Sequence, residues 1–357
     1  MPRWEPNFIL FKEPNILYAV DELDAGTTTL RLIQRLPFNS NEEPSNAREY
    51  WNTISYSRTT SGSSNGNHLV FNADKTRMVE TCYMNNFVCV WDVSGEVPRV
   101  KKRFRFRYDP LRGQENEYDL PQRRVGPRSA VLDPTGRFFV IASPGSDTLT
   151  LLDTSDDSYN VHENGVIVIP NLVVPEHVGF VTIEGRHYLI VLGGFTTTLF
   201  LLQVDYVGDR MDFTGLHWVR AGREWTPGDL MLTTFSGMVI AKNQRDIYTW
   251  TRFPGENSGC ISHFMVYNNQ GRVEVSLVQY ETLPGVHPRM VNLSADEEQK
   301  FLFVVSDIGD HGLLAYEREP WTGKINAQPV AVLSNDILQT YGTPESLSKG
   351  PRFVTEI

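Results

Sequence analysis

Apolar and polar residues alternate with period 2 in short runs from one end of the chain to the other, and no window of 11 or more residues keeps a 3.6-residue period. This pattern predicts an all-β protein. The runs also come in similar sets: HLVFNADKTRMVETCYMNNFVCVWDV from His68, PRSAVLDPTGRFFVIASPGSDTLTLLDT from Pro127 and PRMVNLSADEEQKFLFVVSDIGDHGLLAYERE from Pro288. Each reads as strand, Asp-containing turn, strand, short polar turn, strand. Weaker copies begin at Pro6 and Pro175 and are followed by further strands at 51–58 and 215–223. Four strands per unit, repeated about every 45 to 60 residues, predict a β-propeller in which 1–357 is a single domain. The fifth unit, from Asp229 to Leu283, is the least regular and carries an insertion around Thr251 to Gly259. Six full repeats are followed by GPRFVTEI from Gly350, which reads like the inner strand of another blade. Either six blades end in a tail, or a seventh blade lacks its partner strands.

With 357 residues, 40% hydrophobic and 19 Phe, 14 Tyr and 7 Trp, the chain has material for a large core. Its formal net charge of −10 repels a phosphate backbone, so no nucleic-acid partner is expected. No run reaches the roughly 18 apolar residues of a spanning helix, and the first residues lack a signal-peptide apolar stretch. The chain reads as soluble, with no membrane partner: cytoplasmic, or secreted if a leader was removed, and a monomer or weak homodimer. RVKKRFRFR at 99–107 alternates Arg103, Arg105 and Arg107 with Phe104 and Phe106, which suits an outer strand with one wet face. Residues 108–126 form a long polar connection. Three cysteines make no disulfide framework and match no zinc spacing. An Asn85-Asn86 type I′ turn would set Cys82 opposite Cys89 as core thiols.

In a propeller, the starts of the inner strands share one face with the turns between second and third strands. The inner-strand starts supply His68, Arg128, Glu176, His177, Asp229, His287, Arg289 and Arg352, and the turns supply Glu22 and Tyr83. Pro-Arg recurs at Arg128, Arg289 and Arg352. A guanidinium cluster binds carboxylate or enolate oxygens and stabilises developing negative charge, unless each Arg merely bonds carbonyls of a neighbouring blade. His68 and His177 are general acid or base candidates, or ties between blades. Glu22 and Glu176 are partner carboxylates or solvated loop charges. Tyr83, Asp229, His287 and Arg352 complete a substrate-binding set. No nucleophile elbow, Walker loop, His-Glu-x-x-His or EF-hand motif occurs, and neither a cofactor nor a metal is expected.

GPRSAVLDPTGRFFVIASPGSDTLTLLD, HPRMVNLSADEEQKFLFVVSDIGDHGLLAYEREPWTGKI and ILYAVDELDAGTTTLRLI together resemble the lactonase and carboxymuconate-cycloisomerase propeller family, which includes 6-phosphogluconolactonases. The resemblance implies seven blades. The chain departs from the family where Gly126-Pro127-Arg128-Ser129 replaces His-x-His, Ser143-Pro144-Gly145 replaces Asp-Leu-Gly, Glu176 replaces the Arg of Pro-Arg-His, and Leu192-Gly193-Gly194 replaces an acidic turn. Divergent fungal propellers of this kind are also similar to ring-forming catalysts of secondary metabolism, including hetero-Diels-Alder enzymes. With the hydrolytic set substituted, the expectation is a cofactor-free cyclase. Arg128, Arg289 and Arg352 would polarise the oxygens of a small substrate, with His68 or His177 moving a proton. A lactone hydrolase or cycloisomerase is the alternative, and a non-catalytic scaffold the second alternative.

Overall fold

The computed structural model describes residues 6–21, 28–35, 51–59, 66–106, 126–169, 174–194, 198–220, 234–252, 258–284, 286–338, 351 and 353–355. The chain divides into two compact units, Met1–Val168 and Ile169–Ile357.

The first unit holds three four-stranded antiparallel sheets, each with its strands in chain order. They are β1 (Pro6–Lys12), β2 (Ile16–Asp21), β3 (Thr28–Arg35) and β4 (Trp51–Thr59); then β5 (Gly66–Phe71), β6 (Arg77–Cys82), β7 (Phe87–Asp92) and β8 (Arg99–Arg105); then β9 (Ser129–Leu132), β10 (Phe138–Ser143), β11 (Thr148–Asp153) and β12 (Asn160–Val168). First strands of successive sheets are neighbours, which is the construction of propeller blades. Central strands are buried on both faces because each blade packs against the next. Tyr18, Leu69, Met78, Cys89 and Trp91 fill one interface, while Val79, Val88, Val90, Phe139, Ile141 and Tyr159 fill the other. The expected turns are pinned by the side chain of their first residue: Asn72 Oδ1 accepts the Arg77 N–H at 2.8 Å and Asp133 Oδ1 accepts that of Phe138 at 2.6 Å, closing both hairpins. β8 is an outer strand as expected, with the Arg103 guanidinium 3.6 Å from the centre of the Phe87 ring.

The second unit repeats the plan with longer strands: β13 (Pro175–Ile183), β14 (Arg186–Gly193), β15 (Thr198–Val207) and β16 (Arg210–Arg220); β17 (Thr234–Ile240), β18 (Asp246–Arg252), β19 (Ser258–Asn269) and β20 (Arg272–Pro284); and β21 (Pro288–Leu293), β22 (Phe301–Ser306), β23 (His311–Glu317) and β24 (Ala331–Ser334). One helical turn, Asn335–Leu338, follows. No helix among the described residues is long and apolar enough to cross a membrane. The all-β propeller reading therefore holds, with six four-stranded blades among the described residues.

One local expectation is corrected, and two fall partly outside the described residues. Of the insertion expected around 251–259, Thr251 and Arg252 pair with Cys260 and Gly259 and Ser258 pairs with Pro284, while 253–257 lie outside the described residues. Of the C-terminal segment from Gly350, the described residues 351 and 353–355 are not in a strand, and Val354 O accepts the Asn292 side-chain N–H at 3.1 Å. The Cys82 hairpin is not closed by a type I′ pair. A 3-10 turn over Tyr83–Asn85 and a left-handed Asn86 (φ 59°) lengthen the loop, so Cys82 pairs with Phe87, and Cys89 pairs with Glu80. Both thiols are buried and neither forms a disulfide, as expected.

Candidate functional site

Five of the six inner strands carry a one-residue register shift near their start, at Pro6/Phe8, Gly66/His68, Pro175/His177, Phe235/Gly237 and Pro288/Met290. A bulge leaves its extra residue outside the ladder and re-aims it. The bulged residues include Asn67, Glu176 and Arg289, whereas His68 and His177 stay in register with Thr81 and Leu192. Among the described residues, His68, Glu176, His177 and Arg289 stand at these starts, but the sequence gives no sign of the bulges, which separate the aimed side chains from the paired ones.

In the first unit, His68, Tyr83 and Arg128 are brought to the same end of adjacent blades. Thr81, the partner of His68, donates from Oγ1 to the Arg128 carbonyl at 2.8 Å. Arg128 is tied to its own blade by its N–H, which donates to Ala142 O at 2.9 Å. Its guanidinium carbon sits 5.2 Å from the centre of the Tyr83 ring. The Arg therefore secures the neighbouring blade through its main chain, while its guanidinium lies on an aromatic face. Gly126 shapes this corner. It sits at φ +58°, and a Cβ there would lie 2.5 Å from Tyr83 Cε2, so only glycine meets both demands. Asn86 accepts the Gly126 N–H on Oδ1 at 2.9 Å.

His68 packs its ring 4.6 Å from that of Phe8. Burial pushes its imidazole down to about 4, so it is neutral at physiological pH. Its Nδ1 is buried without a hydrogen-bond partner. A neutral imidazole with an uncommitted ring nitrogen is equipped to take a proton.

In the second unit, Glu176 and His177 begin β13, and Gly194 leaves room for the carboxylate: a Cβ there would lie 2.7 Å from Glu176 Cγ. The acid at 176 and Gly194 after β14 are thus one steric solution. Gly194→Ala is expected to cost about 1 to 3 kcal/mol by overpacking, read as a lowered denaturant midpoint with an unchanged m-value. His287 is buried, and its N–H donates to Ser306 Oγ at 3.0 Å. Arg289 repeats the Arg128 arrangement, its carbonyl accepting the indole N–H of Trp250 in the preceding blade at 3.3 Å. Glu22, Asp229 and Arg352 lie outside the described residues.

Sequence reasoning missed Phe8, Thr81, Gly126 and Glu80. Glu80 is fully buried in the central strand β6, where burial pushes its carboxyl up to about 7 against the pull of hydrogen bonds from Trp91 and Cys82 and the charge of Arg103. A signal existed: in MVETC, period 2 puts Glu80 on the same face as Met78 and Cys82.

Comparison with known proteins agrees with this architecture. The chain is similar to a probable 6-phosphogluconolactonase of Arthroderma benhamiae, with 21% identity over 241 residues, 64% of this chain and 57% of that protein. The match thus spans little more than half of that relative's length. Among solved structures, the periplasmic gluconolactonase of Pseudomonas aeruginosa superposes with a TM-score of 0.71 at 13% identity, covering 92% of this chain and 85% of that one. A putative 6-phosphogluconolactonase of Bacteroides uniformis gives 0.69 at 15%, covering 92% and 88%. At such identities these structures share the fold. The family profile described as "Lactonase, 7-bladed beta-propeller" matches residues 4–334, nearly the whole chain, and the protein belongs to that lactonase propeller family.

Proposed function

We propose that the protein is a lactone hydrolase acting on small cyclic esters. The observation that carries this reading is that the backbone of His68 pairs with that of Thr81, whose hydroxyl donates to the Arg128 carbonyl, so that a neutral histidine and an arginine stand at the same end of adjacent blades. Membership of a lactonase family, and relatives named as lactonases, favour ring opening over the ring-forming chemistry expected from the substituted residues. In the proposed step, water adds to the lactone carbonyl as His68 takes its proton, and the guanidinium stabilises the oxyanion. The ring C–O bond then breaks, and the imidazolium returns the proton to the leaving alkoxide. The product is the open hydroxy acid, so water is the only co-reactant.

The test is acid release in a pH-stat from gluconolactone, its 6-phosphate and neutral aliphatic lactones, above the spontaneous rate. Opening of at least one of them is expected, and no acceleration of any would overturn the reading. The pH profile assigns the base. Because the His68 pKa is lowered to about 4 from 6.5, kcat/KM should rise through about pH 4 and be level by pH 6. A limb at 6.5 would place the base elsewhere.

A further inference from the structure

We propose that Glu80, Cys82 and Cys89 form a binding site for a single thiophilic divalent cation of the zinc or cadmium class, separate from the catalytic reading above. All three residues are fully buried, and one carboxylate oxygen and both sulfurs lie within 4.8 Å of one another. The lengthened Tyr83–Asn86 loop is what assembles them. It moves Cys89 from a position opposite Cys82 to one opposite Glu80, so two adjacent central strands present an S, S, O set on one face. Bond lengths of about 2.3 Å to sulfur and 2.0 to 2.2 Å to oxygen put tetrahedral ligand atoms about 3.5 to 3.8 Å apart. A contraction of roughly an ångström therefore completes the geometry, on strands rather than loops.

Two observations point to a ligand and not merely to a polar cluster in the core. The first is that Glu80 spends Oε2 on the Trp91 indole N–H at 2.7 Å, while its buried Oε1 has no nitrogen or oxygen donor and the carboxyl has beyond that only the Cys82 thiol as a hydrogen-bond partner. Such an orphaned carboxylate oxygen is costly in a protein interior. The second is charge. Arg103 is the cross-strand partner of Cys89 on β8, so two thiolates, one carboxylate, one guanidinium and a divalent ion sum to zero. On binding, each thiol gives its proton to solvent and no electrons move. The absence of a linear motif follows from the register: Cys82 and Cys89 alone do not have the spacing of a zinc knuckle, and the third ligand is supplied by pairing across the hairpin.

The experiment uses the reduced full chain, purified from cells supplied with Cd2+ and also equilibrated with CdCl2 in vitro, because buried ligands load only through local opening. One cadmium per chain is expected, with thiolate-to-cadmium charge-transfer absorption in the ultraviolet. The Cys82→Ser/Cys89→Ser double variant should lose both signals. Cys260→Ser should keep them, since Cys260 lies in the second unit against Thr251 Oγ1 at 2.5 Å. Glu80→Gln retains both thiols and should bind at least about tenfold more weakly, the loss seen when even an outer partner of a metal ligand is removed. Cadmium should also slow alkylation of Cys82 and Cys89 relative to Cys260 in the unsubstituted protein, a readout that needs no variant to fold. No bound cadmium by either route, uptake that survives in the double variant, an unchanged affinity in Glu80→Gln, or equal alkylation of all three cysteines would each overturn the proposal.

Discussion

Arg318→Ala is expected to cost about 3 to 5 kcal/mol of folding free energy, the loss that follows when one member of a buried ion pair is removed and the other stays behind. Arg318 and Asp246 are both buried, and Nη2 donates to Asp246 Oδ2 at 2.6 Å. The same guanidinium donates from Nε to Tyr248 OH at 2.6 Å and from Nη1 to Glu298 O at 2.9 Å. His263 and Asn243 complete the carboxylate's shell at 3.1 and 2.7 Å. The His263 ring stacks 4.8 Å from Tyr248, whose hydroxyl donates to Gly323 O. A side chain at Gly323 would strike both Asp246 and His263 at 2.6 Å. The network thus binds the last two blades of the second unit through polar groups that have no water to fall back on.

The pH dependence of this loss is a sharper test than its size. Burial raises the Asp246 pKa, but the hydrogen bonds from His263 and Asn243 and the charges of His263 and Arg245 outweigh it and bring the carboxyl down to about 2, from 3.8. A depressed carboxyl contributes stability that is fully present above 3.8 and is lost as pH falls through about 2. In Arg318→Ala the stranded carboxylate can be neutralised by protonation, so the deficit measured by denaturant titration should shrink below about pH 4. A deficit that stays constant across that range would mean that the lost packing, not the charge, sets the cost. Asp246→Asn/Arg318→Met should lose less than the sum of the single changes, because neither partner is left as an unpaired ion.

What could be read from the sequence, and what could not, divides along the range of the interaction involved. The apolar patterns in HLVF, RMVETC and FVCVWD are local, and they located β5, which is half-buried, and the largely buried β6 and β7, of which FVCVWD is apolar nearly throughout. Repetition then supplied the blade plan, and with it the end of each blade where His68, Tyr83 and Arg128 come together. The Cys82 hairpin failed because an Asn-Asn pair suits both a two-residue turn and a longer loop with one left-handed residue. The two differ by the register that decides whether Cys89 faces Cys82 or Glu80. The Asp246 network was invisible for another reason. Its members at 243, 246, 248, 263, 298, 318 and 323 come from different strands and turns, and their only local trace is a few polar residues in otherwise apolar strands. The inner-strand bulges are equally silent, since an extra residue at a strand start leaves the alternation on either side intact.

Arg128→Ala is expected to lower kcat/KM for lactone opening by about 100- to 1000-fold, the loss typical of removing one donor to a developing oxyanion. The substitution keeps the bond that joins the two blades, which uses the Arg128 carbonyl with Thr81 Oγ1 as donor at 2.8 Å. The N–H to Ala142 O at 2.9 Å also survives. The contact with Tyr83 is lost, worth about 0.5 to 1 kcal/mol at a partly exposed site, a stability effect small beside the expected loss of activity. Arg128→Lys keeps the charge but not the planar fork that engages two oxygens at once, and should recover part of the rate. Tyr83→Phe preserves the ring face on which the guanidinium rests, 5.2 Å from its centre, and should remain close to wild type. Tyr83→Ala, by freeing the arginine to leave its position, should fall toward Arg128→Ala mainly through kcat, because a misplaced guanidinium still attracts an anionic substrate but no longer meets the oxyanion. An unchanged rate in Arg128→Ala would remove that residue from the reaction and shift attention to Arg289, whose carbonyl is held by Trp250 in the corresponding place at 3.3 Å.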